Sequence, residues 1–128
     1  MRADVFAALE RAARATLVFD LAAIDDNVRR VAAAARAAGV HALFAAKSFP
    51  HAAVRALAAG ELAGFDVASA RELAEVPPSA ITSIADPTGG ALAAAGARGG
   101  RVIASCETVA QVRAAPAGAD IAIRISAS

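Results

Sequence analysis

One lysine stands among the 13 basic residues of this 128-residue chain, in Phe44-Ala45-Ala46-Lys47-Ser48-Phe49-Pro50, and the other twelve are arginines. The two cations differ in chemistry. An amine can lose its proton and attack a carbonyl carbon, whereas a guanidinium stays protonated in proteins. Lys47 is therefore a candidate for Schiff-base chemistry, set against the plainer reading of a solvated side chain at a strand end. Further polar residues recur on or just after short apolar runs: Asp66 and Ser69, then Asp86, Ser105 and Arg124. An acid or a guanidinium within such a run is costly to bury unless paired, so a contact between Asp66 and Arg124 is one reading, set against that of Arg124 as an edge-strand arginine in water.

The elements that would carry these residues alternate regularly. Met1 to Ala15 reads as a short amphipathic helix through Val5, Phe6 and Leu9, and Thr16–Phe19 as a short strand. Asp20 sits where an N-cap belongs. Leu21, Ile24, Val28, Val31 and Ala35 then recur at three- and four-residue intervals up to Gly39, which predicts a helix with a glycine stop. From there an apolar strand followed by a helix, or the start of one, repeats five times. The strands are His41–Ala46, Gly64–Ala68, Ala80–Ala85, Arg101–Ser105 and Asp120–Ser126; the helices are Ala52–Ala59, Ala70–Glu75, Ala91–Ala97 and Glu107–Ala114. Parallel strands need helical crossovers of this kind, so the expected fold class is α/β with a parallel sheet.

Two architectures compete for that pattern. A doubly wound sheet usually places a Gly-rich turn after its first strand, and here that strand runs into Lys47-Ser48-Phe49-Pro50 with no glycine. Gly89-Gly90 and Gly99-Gly100 lie elsewhere and read as turns. A (β/α)8 barrel carries its chemistry at the C-terminal ends of its strands, where the polar residues fall. Such a barrel takes roughly 250 residues, so five units are part of one.

Composition limits the function classes. Forty-one alanines inflate the hydrophobic fraction of 58%, which is therefore a poor guide to the fold. The net charge of +1 leaves no basic stripe for phosphates, which argues against nucleic-acid binding. No signal-peptide core or membrane span is legible, and a cytoplasmic chain is expected. The one cysteine, Cys106, cannot form an intramolecular disulfide or a zinc site by itself and reads as a packed thiol.

The segments TLVFDLAAIDDNVRRV, HALFAAKSFPHAAVRALAA, GFDVASARELA, VIASCETVAQV and IAIRIS resemble, in order and spacing, the N-terminal barrel of fold-type III pyridoxal-phosphate decarboxylases, which act on diaminopimelate, ornithine or arginine. The most specific pieces are Ala-x-Lys with a proline three residues on, and Gly-Phe-Asp-x-Ala-Ser-x-x-Glu-Leu beginning seventeen residues after the lysine. The resemblance implies a partial barrel of about five βα units, with residues 1–20 preceding it and the family's C-terminal β-domain absent. It implies a cytoplasmic homodimeric lyase acting on a small amino acid, with Lys47 forming the internal aldimine with pyridoxal phosphate, and Asp66 and Arg124 close to the cofactor.

Other residues have structural readings. Ser69 fits an N-cap with Glu72 completing a capping box, and His51, after Pro50, reads as a surface residue at a helix start. Phe49 stands where the family commonly has Asn. The loop ADPTGG departs from its Gly-x-x-Lys-Ser region, and Ala104 replaces a common acid, so the substrate stays open. The family's ring-stacking histidine, phosphate loop, ring-nitrogen acid and partner-subunit cysteine have no counterpart here, and the chain alone is expected to be incomplete as a decarboxylase. Three alternatives stand beside that reading: an inactive truncated fragment, a non-enzymatic partner of a full-length homologue, and a racemase-like or cofactor-carrier barrel.

Overall fold

A computed structural model describes residues 3–11, 15 and 17–125. Helix α1 spans Ala3–Glu10 and α2 spans Leu21–Ala37. The alternating units follow as β1 (Leu43–Ala45), α3 (Ala52–Glu61), β2 (Gly64–Val67), α4 (Ala70–Ala74), β3 (Ile81–Ile84), α5 (Gly90–Ala94), β4 (Val102–Cys106), α6 (Val109–Ala114) and β5 (Asp120–Ile123). All neighbouring strands are parallel, and their order in the sheet is their order in the sequence. The fold is thus α/β with a five-stranded parallel sheet. A doubly wound sheet reverses its strand order at a switch point, and none occurs among these five strands.

The ends of α2 follow from its sequence. Asp20 Oδ1 accepts the N–H groups of Ala22 and Ala23 at 3.0 and 3.1 Å. At the other end Gly39 takes φ 67°, donating to Arg36 O at 3.1 Å while Val40 donates to Ala35 O at 3.0 Å. This is the Schellman arrangement, and it satisfies carbonyls that the helix leaves open. Arg29 links α2 to α3 through Glu61 at 3.1 Å, and Arg55 links α3 to α4 through Glu75 at 3.1 Å.

Alternation along the strands sends residues to two unlike faces. Phe65, Val67, Thr82, Ile84, Val102, Ala104 and Cys106 are buried, and all but Thr82 belong to a core completed by Leu73, Ala91 and Leu92 from the helices. The opposite face carries Ala45, Asp66, Ser83, Ile103 and Ser105, all half-buried and none of them part of that core. Gly64 is required for a different reason than Gly39. A Cβ there would fall on the backbone carbonyl of Ile81, so β2 and β3 approach as they do only with glycine.

Five expectations need correction. Leu17–Phe19 form no strand, and Thr16 lies outside the described residues. Their apolar and β-branched character favours extended backbone, but a strand also needs a partner, and Phe19 instead packs edge-on against Phe49 with ring centroids 4.5 Å apart. The fifth strand stops at Ile123 because its neighbour stops at Cys106, and Ser126 lies outside the described residues. Arg124 therefore follows the strand and is exposed, contrary to the mid-strand position expected for it. The helix expected over Ala91–Ala97 is α5 continued by a 3-10 turn, and that expected over Glu107–Ala114 begins at Val109 after its cap.

Candidate functional site

Lys47 lies in a 3-10 turn, Ala46–Ser48, at the C-terminal end of β1. Ala46, 2% exposed, anchors this turn in the core, and Ser48 Oγ closes it by donating to Ala45 O at 2.7 Å. Phe49, against Phe19, fixes the backbone that follows. Lys47 itself is exposed, and among the described residues its amine makes no hydrogen bond or ion pair. The turn is thus anchored at Ala46 and closed by Ser48, with Lys47 exposed between them.

Asp66 sits on the half-buried face of β2, in register with Ala45 on one side and Ser83 on the other. Its Oδ1 accepts the Ser83 hydroxyl at 2.7 Å. Ser83 was not singled out from the sequence, although a serine between Thr82 and Ile84 on an otherwise apolar strand was a usable signal. The pairing expected between Asp66 and Arg124 is not formed. Arg124 Nη1 meets Glu107 Oε1 at 3.3 Å, and its backbone N–H continues the ladder to Cys106 O at 2.9 Å. Physically, Asp66 belongs to the middle of β2 and finds a hydroxyl across one strand, whereas Arg124 lies past the end of β5 and finds the nearest acid at the rim.

Each of the loops after β1, β2, β3 and β4 leads into a helix whose first turn is met by the loop's or the helix's own side chains. After β1, His51 Nδ1 accepts from Ala53 N at 3.3 Å. After β2, Ser69 Oγ accepts from Glu72 N at 3.2 Å, and Glu72 Oε2 reaches back to Ala68 N at 2.8 Å. Ser69 and Glu72 thus have the capping role expected of them, with the acid reaching one residue beyond the cap. After β4, Thr108 Oγ1 accepts from Gln111 N at 3.2 Å while Gln111 Oε1 accepts from Glu107 N and Thr108 N at 2.7 and 3.0 Å.

The loop after β3 is the most heavily bonded. Asp86 is 2% exposed. Its Oδ1 accepts from Thr88 N and Thr88 Oγ1 at 2.8 and 2.7 Å, and its Oδ2 from Ala91 N at 2.7 Å. Burial alone pushes its carboxyl up, but the bonds from Ala91, Thr88 and Gly89 outweigh that and hold it below the ordinary value of 3.8. Asp86 is thus an ionised carboxylate seated on the first turn of α5. Gln111 Nε2 donates to Asp86 O at 3.3 Å and ties α6 to this loop.

Cys106 is buried, with its thiol against Ala104 O at 3.6 Å, and is the packed residue expected. Among the described residues no group of His, Cys, Asp and Glu is arranged to hold a metal ion, and no helix is long and apolar enough to cross a membrane. Comparison with protein-family models, with curated proteins and with solved structures returned no match.

Proposed function

We propose that the chain is an arc of a (β/α)8 barrel of the fold-type III pyridoxal-phosphate decarboxylase lineage, with Lys47 as the amine that engages the cofactor aldehyde. The observation that carries this reading is the exposed Lys47, its amine without a partner among the described residues, on a core-anchored turn at the C-terminal end of β1 in a sequentially ordered parallel sheet. Sequential order supports a barrel, because each strand of such a barrel pairs with its neighbours in the chain. The resemblance of Lys47 and its flanking residues to the decarboxylases supplies the chemical class. Bound pyridoxal phosphate provides an electron sink for the carbanion left when a carboxylate departs as carbon dioxide.

The groups present suit one end of that cofactor. Lys47 offers a primary amine to the aldehyde, and the neighbouring strand offers the Asp66 carboxylate, which accepts the Ser83 hydroxyl and lies in register with Ala45, two residues before Lys47. Arg124, paired with Glu107, is a rim residue in this reading, not the partner of Asp66. Nothing among the described residues receives the phosphate, so the chain supplies part of a site.

The test uses a favourable accident of composition: Lys47 and the N-terminal amine are the only primary amines a chain of this sequence offers. Borohydride reduction after incubation with pyridoxal phosphate is expected to label Lys47 ahead of the N-terminus, with the label lost in Lys47→Arg. Equal labelling of both amines would overturn the role of Lys47. The chain alone is expected to release no carbon dioxide from meso-diaminopimelate, ornithine or arginine, and robust turnover of any of them would refute the partial site.

A second reading, a non-enzymatic partner of a longer homologue, is favoured by the free edge of β5, where Ile121 and Ile123 are 43% and 65% exposed. A stable monomer on gel filtration with cooperative unfolding would count against it.

A further inference from the structure

We infer that Lys47 takes up aldehydes without regard to a phosphate group, so that pyridoxal and pyridoxal 5′-phosphate are equivalent ligands for the described part of the site. The inference rests on the reading of Lys47 as a carbonyl-reactive amine and concerns what surrounds it. A phosphate is held in a βα fold chiefly by backbone N–H groups at helix N-termini and by arginine or lysine side chains. At this end of the sheet each of the loops after β1 to β4 already carries a side-chain acceptor for N–H groups of this kind, and the arginine at the rim already has an acid beside it.

The acceptors are set loop by loop. His51, Ser69 with Glu72, Asp86, and Thr108 with Gln111 accept the first-turn or loop N–H groups after β1, β2, β3 and β4 respectively. Two of these acceptors, Glu72 and Asp86, are carboxylates and bear the same sign as the phosphate. Displacing Asp86 would break three hydrogen bonds and leave a buried charge without partners, which a mobile anion in water cannot compensate. The cation at the rim, Arg124, is already neutralised by Glu107.

The bond formed at Lys47 needs no other reactant. The unprotonated Nζ adds to the aldehyde carbon, the carbonyl oxygen leaves as water, and no oxidation or reduction accompanies the step.

The experiment compares pyridoxal with pyridoxal 5′-phosphate at neutral pH, with cyanoborohydride supplied to reduce the adduct, and reads modification of Lys47 by peptide mass spectrometry. Because free pyridoxal closes to a hemiacetal, the ratio of the two rates is divided by the same ratio for Nα-acetyllysine. The corrected ratio is expected within about threefold of unity, unchanged by excess inorganic phosphate, since no preorganised anion contact adds to either ligand. A preference for the phosphorylated aldehyde of about tenfold or more, abolished by inorganic phosphate, would overturn the inference. The absolute rate is a separate outcome. If Lys47 reacts with both aldehydes no faster than the N-terminal amine, the role proposed for Lys47 fails, while the corrected ratio still decides whether phosphate is recognised.

Discussion

One face of the sheet is buried against helices over β2, β3 and β4 and the other is half-buried, and the two are built from interleaved residues of the same strands. On β2, Phe65 and Val67 point into the core while Asp66 between them meets Ser83. On β3, Thr82 and Ile84 are buried while Ser83 is not. The covered face is apolar apart from Thr82, whereas the opposite face sets Asp66, Ser83 and Ser105 beside Ala45 and Ile103. Stability and candidate chemistry are thus assigned to opposite parities of one strand.

Substitutions chosen by face should separate the two assignments. The largest effect is expected for Gly64→Ala, where the added Cβ meets the backbone of Ile81. A loss above about 4 kcal/mol, the exceptional end of the mutational range, should appear as loss of a cooperative urea transition. Ile84→Ala on the covered face is expected to cost about 2 to 5 kcal/mol in urea unfolding and to leave labelling of Lys47 unchanged where the protein is folded. If labelling fell in proportion to stability, the two faces would be coupled and the division would fail.

Asp86→Asn tests the loop between the faces, with an expected cost of about 1 to 3 kcal/mol as an amide replaces the acceptor of Ala91 N. The sign of its pH dependence is fixed. The carboxyl of Asp86 is depressed in the folded state, so its contribution is full above the ordinary value of 3.8 and is lost as pH falls through the lower folded value. Wild type should therefore lose stability to acid over that window more steeply than Asp86→Asn. Parallel acid limbs for the two proteins would sink the assignment. The smallest stability effect, within about 0.5 kcal/mol, is expected for Lys47→Arg on its exposed turn. A large change there would mean that the amine has a structural partner.

Much of this was legible in the residues. The helix from Leu21 was signalled by its cap, its periodicity and its glycine, because those are local properties of the chain. Strand centres were legible from apolar runs, and the position of Lys47 at the end of one followed. The Leu17–Phe19 segment and the end of β5 were not, because pairing is decided by what lies alongside. The partner of Asp66 was misjudged for a related reason: charge suggests an opposite charge, but register placed a hydroxyl nearer. Asp86 was visible as a polar residue after a strand. Its burial was not, since that depends on Thr88 and Ala91 turning back to meet it.

The sequential strand order has a consequence for how the chain assembles. Each strand lies beside the one made just before it, so every pairing closes a short loop and no pairing waits for a distant segment. Assembly can then proceed as in a solenoid, one unit docking on its predecessor, with each unit's stability set mainly by its nearest neighbours. Protection of backbone amides from exchange with solvent should accordingly be greatest in β2, β3 and β4, which have neighbours on both sides, and fall off towards β1 and β5.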